Sequence, residues 1–467
     1  MNPTYRLRVY RSKPLIQRLL LSLSCLSLLL SSQADEWPQF RGPDGDGIAD
    51  AANVPREFGE SSSLTWKIKL PGRGWSSPVF DGEHLWLTTA KEVFPDETER
   101  IRLLTEAGEE EKKFAQKQVA SSIELALLKV SYERGVIEEE LLLTTVEEPD
   151  PIHKFNSYAS PTPVISGKLV IAHFGTFGTF AIDRVSGSVA WERTIKLEHS
   201  VGPGSSPFVH DGRLVLICDG TDRQFVTALD VDTGETLWSK DRPEMRAEKG
   251  DHKKAYNTPI VITGPRGREQ LICMGSQWLV SYHPESGETF WQLDHGKGFS
   301  VVPRPVYSKD HELLFVSTGF GNTDLLAVRP DGDGDVTRSD KLVWKDPKRI
   351  PTKPSPLLVG DELYVISDGG VATCFDAVTG KIHWNTRITG NYSASPMFAD
   401  GHIYVCSEEG KVTLFRPGLN YAEAFVNQID ESIMASPMAL DGNLVIRSVS
   451  SLYRFSSPMA LSGLKKD

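Results

Sequence analysis

Short apolar runs alternate with turns that contain Gly or Asp along most of this chain. The segment Ser355–Trp384 is the clearest example, because turns at residues 359–361, 368–370 and 376–380 separate four such runs. Runs of this length between such turns predict four strands of one antiparallel sheet. The run Leu363–Ile366 does not alternate polar with apolar residues. Both faces of that strand are therefore expected to be buried between neighbouring sheets.

The four-strand pattern recurs, and each copy begins at a Ser/Thr-Pro step or a degenerate form of it. The eight prolines of these steps are Pro78, Pro161, Pro207, Pro259, Pro305, Pro356, Pro396 and Pro437. From Pro161 onward, successive prolines are 40 to 52 residues apart. A second mark, Asp-x3-Gly-x3-Trp, ends at Trp191, Trp238 and Trp384, and His replaces Asp in the copy that ends at Trp291. The Asp and Gly shape a turn, and the Trp offers a large apolar surface that packs one sheet against the next.

Repeats of this length with four strands each predict an all-β fold, namely an eight-bladed β-propeller of four-stranded antiparallel blades. The last copy, Ser436–Phe455, supplies only three strands. The N-terminal run Leu64–Lys69 carries a Trp and resembles the missing fourth strand. This strand is expected to close the ring, since closure removes two exposed sheet edges. The propeller is assigned to residues 64–458 and a C-terminal tail to residues 459–467.

Three stretches depart from the repeat. Pro78 and Pro161 are 83 residues apart, so the first blade is expected to contain an insert at about residues 91–121. The charged part of this insert, residues 105–121, is expected to be helical. An expanded turn is expected in the fifth unit, between Ala327 and Trp344. Residues 35–63 have little periodicity and are expected to form an extended arm lying on the propeller.

The first 34 residues have the features of a secretory signal peptide. Five basic residues and no acidic ones precede or flank the Leu/Ser-rich run Leu19–Leu30, and cleavage is expected near Ala34. The run is short for a membrane span, which disfavours a retained anchor. Cys25 lacks the preceding Leu of a lipobox, which disfavours a lipoprotein. A periplasmic or secreted protein with no transmembrane segment in its mature chain is therefore expected.

The net negative charge of the chain disfavours two classes of partner. The net charge of the chain is −11, and removal of the five N-terminal basic residues leaves 46 basic against 62 acidic residues, or −16. Such a surface repels nucleic acid and anionic lipid, so neither is an expected partner. Cys218, Cys273, Cys374 and Cys406 each lie in an apolar run and are expected to be buried. A disulfide between Cys374 and Cys406 stays open, because export would permit one.

The repeat marks and several longer stretches resemble a known family. They include the motif AxDxxxGxxxW at Ala181–Trp191 and Ala228–Trp238, WPQFRGPDGDG at Trp37–Gly47, and STGFGN at Ser317–Asn322. Together they resemble the secreted PQQ-binding-like β-propeller repeat proteins of planctomycete-type bacteria. The resemblance extends to two other groups that share the repeat, namely the PQQ alcohol dehydrogenases and the non-enzymatic scaffold of the outer-membrane β-barrel assembly machinery.

The resemblance implies what a PQQ enzyme of this kind would need. Those enzymes cover the quinone with a disulfide between adjacent cysteines and hold Ca²⁺ near a catalytic Asp. This chain has no adjacent cysteines and no CxxCH motif, which counts against dehydrogenase chemistry. No cofactor is therefore predicted, and PQQ with calcium is kept as the alternative. The alternating carboxylates of residues 331–335 offer Ca²⁺ ligands, but Leu342 stands where an EF-type loop needs Glu, so a turn is favoured and no metal site is predicted.

Residues just ahead of the Ser/Thr-Pro steps are the candidate site. In a propeller these segments gather around one mouth of the central channel, and they are rich in aromatic, amide and charged side chains, as ligand sites are. The ten candidates are Trp75, Asn156, Tyr158, His199, Tyr256, Asn257, Arg304, Lys353, Asn391 and Tyr392. No catalytic residue is predicted. The expected function is an exported, non-catalytic propeller that binds a protein partner or small ligand at this mouth. The alternatives are a PQQ-dependent oxidoreductase and a scaffold in outer-membrane protein assembly.

Overall fold

The structure, a computed structural model, describes residues 36–458. The expected signal peptide at residues 1–34 and the tail at residues 459–467 lie outside the described residues. Eight sheets, each with four antiparallel strands, follow one another along the described chain, and one of them has a fifth, two-residue strand. The predicted eight-bladed β-propeller is thus confirmed. The first strands of neighbouring blades lie next to each other around the central channel.

Each blade is named by its position along the chain. The strands of blades 1 to 4, in sheet order, are Val79–Phe80, His84–Val93, Ser122–Ser131 and Val136–Glu147; Val164–Ser166, Leu169–His173, Thr179–Asp183 and Val189–Arg193; Phe208–His210, Arg213–Asp219, Gln224–Asp230 and Thr236–Asp241; and Ile260–Thr263, Glu269–Met274, Trp278–Tyr282 and Thr289–Asp294. Those of blades 5 to 8 are Val306–Ser308, Leu313–Ser317, Leu325–Val328 and Leu342–Asp346; Leu357–Val359, Glu362–Ile366, Val371–Asp376 and Ile382–Arg387; Met397–Ala399, His402–Cys406, Lys411–Phe415 and Glu423–Gln428; and Met438–Leu440, Asn443–Arg447, Ser451–Ser456 and Leu64–Lys69.

The strand Leu64–Lys69, which we call the closing strand, completes blade 8 as predicted. It pairs antiparallel with Ser451–Ser456, with Lys69 opposite Ser451 and Ile68 opposite Leu452. Residues that are far apart in the chain thus share one sheet, and the outer edge of Ser451–Ser456 is paired. Apolar side chains fill the spaces between blades, as between blades 5 and 6, where Phe315 and Phe375 are fully buried. Each such side chain contributes roughly 1.5–3 kcal/mol through burial.

The tryptophans of the repeat mark join successive blades, as expected. Trp191 of blade 2 donates its indole N–H to the carbonyl of Val231 in blade 3, at 3.0 Å. Its ring packs on Gly234, the glycine of the next repeat mark. This glycine has φ +72°, and a Cβ there would also meet the ring of Trp191. The glycine is thus required twice, for the turn and for the neighbouring Trp.

The insert of blade 1 contains one α-helix, Glu97–Glu106, and one 3-10 helix, Glu111–Gln116. The predicted helical insert is therefore confirmed. The 3-10 helix lies within the predicted segment 105–121, whereas the α-helix begins earlier in the chain. It begins after Asp96, whose side chain accepts a hydrogen bond from the backbone N–H of Glu99, and its buried Leu103 and Leu104 anchor it. The segment Lys117–Gln118 then pairs with Ile152–His153 as a two-stranded ribbon. Three further 3-10 turns are Gly175–Phe177, Gly250–His252 and Pro265–Gly267.

The expanded turn of blade 5 lies along the edge of blade 4. Its residues Gly334–Asp335 pair in parallel with the strand Thr289–Asp294. Its carboxylates are used locally, since Asp333 binds Arg268 at 2.6 Å and Asp335 accepts a hydrogen bond from the backbone of Thr337. Within residues 36–458, no group of three or more His, Cys, Asp or Glu side chains has the arrangement of a metal site.

The N-terminal arm, residues 36–63, runs along the first strands of several blades. Trp37 exchanges backbone hydrogen bonds with Phe80 at the end of the first strand of blade 1. Farther along, the carbonyl of Gly47 accepts a hydrogen bond from Phe398 of blade 7. Between these contacts, Phe40 reaches the channel.

Two further points raised by the sequence concern a disulfide between Cys374 and Cys406 and a membrane-spanning helix. All four cysteines between residues 36 and 458 are buried and free, so Cys374 and Cys406 are not joined. Among the helices of that range, none is both long and apolar enough to span a membrane.

Candidate functional site

The Ser/Thr-Pro steps form a ring of hydrogen bonds around the channel, which we call the hydroxyl ring. In seven blades the hydroxyl accepts a hydrogen bond from the backbone N–H of the equivalent residue in the preceding blade. In blade 2 this residue is Thr162, ahead of Pro163, and not Ser160 of the predicted step at Pro161. The donor–acceptor pairs are Ser77–Thr162 (2.9 Å), Thr162–Ser206 (3.0 Å), Ser206–Thr258 (3.3 Å), Arg304–Ser355 (3.0 Å), Ser355–Ser395 (3.0 Å), Ser395–Ser436 (2.9 Å) and Ser436–Ser77 (3.1 Å). The repeated Ser/Thr therefore has a physical role, because it satisfies a buried donor of the blade before it.

Blade 5 breaks the ring. Arg304 occupies the position at which the other blades have Ser or Thr, so no hydroxyl is available there for Thr258 of blade 4. The backbone of Arg304 still donates to Ser355, but its side chain has a different environment from the hydroxyls. The degenerate step in the sequence thus corresponds to a distinct place in the channel.

A cavity of about 500 Å³ lies at the channel end that carries the steps, and we call it the mouth cavity. The seven hydroxyl residues of the ring line it, and so does Phe40 of the arm. Its other aromatic lining residues are Trp75, Phe155, Tyr256, Phe299 and Phe320. The volume and the aromatic lining are those of a binding site for an organic group.

Four of the ten predicted site residues line the mouth cavity, namely Trp75, Asn156, Tyr256 and Lys353. Trp75 donates its indole N–H to the carbonyl of Phe155 at 3.1 Å, which fixes the ring at the rim. Asn156 donates to the carbonyls of Val201 and Pro203, at 2.8 and 3.0 Å. Backbone carbonyls of the segments that precede blades 2 and 3 therefore hold the side chains of Trp75 and Asn156 in place.

The other six predicted residues are not among those that line the cavity. Tyr158 and Tyr392 are fully buried, and their hydroxyls donate to the carbonyls of Asp150 and Thr389. Both rings belong to the apolar layers between blades, which take large side chains next to a turn. Asn391 instead faces solvent, where it binds the carboxylate of Glu409 at 2.8 Å.

His199, Asn257 and Arg304 are held behind the cavity wall. The Nε2 atom of His199 accepts a hydrogen bond from the backbone N–H of Thr176 at 3.0 Å, and burial lowers the pKa of this histidine to about 4. Asn257 is fully buried and donates its amide to the carbonyl of Met274. Arg304 points toward the arm rather than into the cavity.

The charged side chains of the cavity lining are already paired. Lys254 donates to Asp251 at 2.7 Å and to Ser200 at 3.1 Å, and burial lowers its pKa. Lys353 contacts Glu408 at 2.9 Å. These groups therefore leave aromatic carbon and the hydroxyl ring as the main surfaces for a ligand.

Several lining residues were not predicted from the sequence. Phe40 comes from the non-repetitive arm, and Phe320 from a turn between the second and third strands of blade 5. Neither precedes a Ser/Thr-Pro step, so the position that marks the candidates does not include them. An aromatic residue inside the distinctive stretch WPQFRGPDGDG was the available clue to Phe40.

The lining does not fit a calcium-bound quinone. Asp368 is the carboxylate among the residues that line the mouth cavity, and both its oxygens accept hydrogen bonds from Thr352. A Ca²⁺ ion takes six to eight oxygen ligands, usually with several carboxylates. The lining residues therefore support no reaction step through such a group.

Solved structures similar to this chain include the following three proteins. BamB from Moraxella catarrhalis has a TM-score of 0.52 and 11% identity over 84% of this chain and 99% of that chain. A europium-containing methanol dehydrogenase has a TM-score of 0.60 and 9% identity, with 91% and 99% covered. The quinohemoprotein alcohol dehydrogenase ADHIIG from Pseudomonas putida HK5 has a TM-score of 0.59 and 11% identity, with 91% and 81% covered. At these identities the likeness shows a shared fold.

Among curated proteins no sequence matches this chain significantly. A family model described as outer membrane protein assembly factor BamB matches residues 157–294 and 275–417. The two matches together cover residues 157–417, which are 261 of the 467 residues. The chain therefore belongs to the propeller family described as outer membrane protein assembly factor BamB.

Proposed function

We propose that this protein is an exported, non-catalytic propeller that binds an aromatic or apolar group in the mouth cavity. The group is carried by a small ligand or by a partner protein. The observation that carries the proposal is the aromatic lining of a cavity of about 500 Å³ whose polar side chains already have partners. Such a surface gains most from burial of apolar area, at roughly 25 cal/mol per Å².

The rim of the cavity favours an incoming partner. Phe155 is 65% exposed and Phe320 is 37% exposed, and both line the same opening. Exposed aromatic side chains grouped around a cavity are typical of binding sites. Membership in a family described as an assembly factor supports a protein partner, although it does not specify which.

The chemistry of the lining supports binding rather than catalysis. The hydroxyls of the hydroxyl ring accept backbone hydrogen bonds, and none of them is bonded to a histidine among the described residues. Burial lowers the pKa of His153, whose Nδ1 accepts a hydrogen bond from the backbone N–H of Phe155. A nucleophile activated by a general base needs the two groups within hydrogen-bond reach.

Binding is tested with 8-anilinonaphthalene-1-sulfonate, a fluorescent aromatic anion. Phe155→Ala is expected to weaken dye binding about tenfold, since one rim aromatic contributes roughly 1.4 kcal/mol. Phe94→Ala is the matched control, because Phe94 is also exposed, at 57%, and does not line the cavity. Equal affinity for the two variants would contradict the proposal.

Competition then separates the two kinds of ligand. An unstructured peptide with a single internal Phe is added to the dye complex, and the amide of free phenylalanine is added in parallel. Displacement by the peptide at much lower concentration favours a protein partner, because the rim residues contact the flanking backbone. Equal displacement favours a small ligand.

The oxidoreductase alternative is tested directly. Purified protein with added PQQ and Ca²⁺ is assayed on alcohols and sugars with an artificial electron acceptor. No turnover is expected, because the cavity lacks a set of carboxylates for the ion. Tight quinone binding with turnover would replace the binding proposal.

A further inference from the structure

Two buried arginines lie together where the arm enters the channel. Arg41 belongs to the arm and is 3% exposed, and Arg304 belongs to blade 5 and is 1% exposed. Arg304 stands at the position where the hydroxyl ring is broken. Neither arginine lines the mouth cavity. Arg304 is nevertheless close to it, because it donates a hydrogen bond to the carbonyl of Phe40, which is a lining residue.

The hydrogen bonds of the two guanidinium groups are incomplete. Arg304 donates to the carbonyl of Phe40 at 2.6 Å and to the side-chain oxygen of Gln39 at 3.0 Å, but its Nε has no partner among the described residues. All three nitrogens of the Arg41 guanidinium are buried, and within residues 36–458 none has a hydrogen-bond partner. A buried donor without a partner is costly, and more so when it is charged.

The positive charge at this place is not balanced by protein groups. Among the described residues, neither arginine forms an ion pair with a carboxylate, although the charge of Asp46 acts on both. Burial lowers the pKa of Arg41 to about 10 and that of Arg304 to about 9, and Arg41 lowers the latter further. Burial of two like charges without a counterion is strongly unfavourable.

The loop of the arm is shaped around these side chains. Gly45 and Gly47 have φ +70° and +87°, and a Cβ at these positions would clash with the guanidinium groups of Arg304 and Arg41, respectively. The backbone N–H of Gly47 donates to the carbonyl of Arg41 at 3.0 Å, which closes the loop. The loop therefore encloses both guanidinium groups but offers them few hydrogen-bond acceptors.

We infer that Arg41 and Arg304 form a binding site for a small oxyanion, phosphate or sulfate, which joins the N-terminal arm to blade 5. Guanidinium groups bind such ions with paired, charge-assisted hydrogen bonds. The ion accepts hydrogen bonds from the free nitrogens of Arg41 and from Nε of Arg304, and it balances their charge. It is enclosed by the arm and is separate from the mouth cavity, so it serves structure rather than recognition of a partner.

Thermal unfolding of the mature protein tests the site. Phosphate is raised at constant ionic strength, with chloride as the balancing anion. The melting temperature of the wild-type protein is expected to rise by a few degrees and to saturate, because an ion that binds only the native state stabilises it. Arg41→Met is expected to abolish the rise. Arg56→Met, on the exposed part of the arm, is the control and is expected to keep it.

A second measurement on the unaltered protein does not depend on the variants. Equilibrium dialysis with labelled phosphate is expected to show about one ion bound per chain, and sulfate is expected to compete. A wild-type melting temperature that follows ionic strength alone, or a phosphate response that persists in Arg41→Met, would overturn the inference. Dialysis without saturable binding would do the same.

Discussion

At the scale of single residues, small side chains decide how this propeller is joined. The hydroxyl of each Ser/Thr-Pro step satisfies a backbone donor of the preceding blade, as Ser395 does for Ser355. The glycine of the repeat mark makes room for the Trp of the preceding blade, as Gly234 does for Trp191. Both residue types recur because a neighbouring blade requires them, beyond what their own turn requires.

The Gly–Trp contact gives a stability prediction with a matched control. Gly234 and Gly212 both have φ +72°, but a Cβ on Gly234 meets the ring of Trp191 whereas one on Gly212 meets nothing within 4 Å. Gly212→Ala is expected to cost about 1 kcal/mol, from the backbone alone. Gly234→Ala is expected to cost roughly 1–3 kcal/mol more, from overpacking. Urea unfolding of the two variants measures the difference, and equal losses would refute the contact.

A partly buried histidine, His199, gives a pH prediction. The pKa of His199 falls from 6.5 to about 4 on folding because of burial, with Asp222 opposing and Lys254 adding to the shift. Between these two pH values the unfolded chain binds a proton that the native chain does not. Stability is therefore full above pH 6.5 and is lost as the pH falls toward 4.

The expected loss from His199 is about 3 kcal/mol across that range. His173, whose pKa burial lowers to about 3, adds to the same trend. His199→Gln should remove only its own share, so the free energy of unfolding of this variant is expected to depend less steeply on pH. Chemical denaturation at about pH 4.5, 5.5 and 7 measures the slope, and an unchanged slope would be evidence against the assigned shift.

At the scale of elements, we expect the closing strand to be essential for a soluble monomer and the insert of blade 1 to be dispensable. Deletion of residues 36–69 removes the arm and the closing strand, which exposes the edge of Ser451–Ser456. Exposed edges pair with other chains, so this variant is expected to form soluble oligomers or aggregates. Light scattering coupled to size-exclusion chromatography measures this outcome.

The insert provides the matched deletion. Val93 and Ser122 are paired across the second and third strands of blade 1, so the residues between them leave from and return to one hairpin end. Replacement of residues 95–120 by Asn-Gly is expected to leave a monomer, with a melting temperature within a few degrees of the original. Aggregation of this variant would show that the insert also supports the blade.

At the scale of the whole molecule, ring closure from the two chain ends explains how eight similar sheets make one stable unit. The export prediction belongs to this scale as well. The protein purified from its source is expected to begin at Asp35, and intact mass measurement checks this. A mass that includes residues 1–34 would contradict cleavage near Ala34.

Most of the fold could be predicted from the sequence, because each repeat is marked by features that lie close together along the chain. Short apolar runs, glycine turns and the Ser/Thr-Pro steps predicted eight blades and the closing strand Leu64–Lys69, all of which are present. The insert of blade 1 is helical as predicted, but its α-helix begins before the predicted segment 105–121. Charge spacing favoured the later segment, whereas the cap at Asp96 and the buried Leu103 and Leu104 set the bounds of the helix.

Tertiary structure alone decided which residues face the channel. Trp75 and Tyr158 both precede a Ser/Thr-Pro step, yet the first lines the mouth cavity and the second is buried between blades. Sequence spacing cannot separate them, because the direction of a side chain there depends on the twist of its blade and on the next blade. The meeting of Arg41 with Arg304 likewise depends on the path of the arm, which no repeat specifies. Local pattern determined the blades, and packing between distant segments determined the sites.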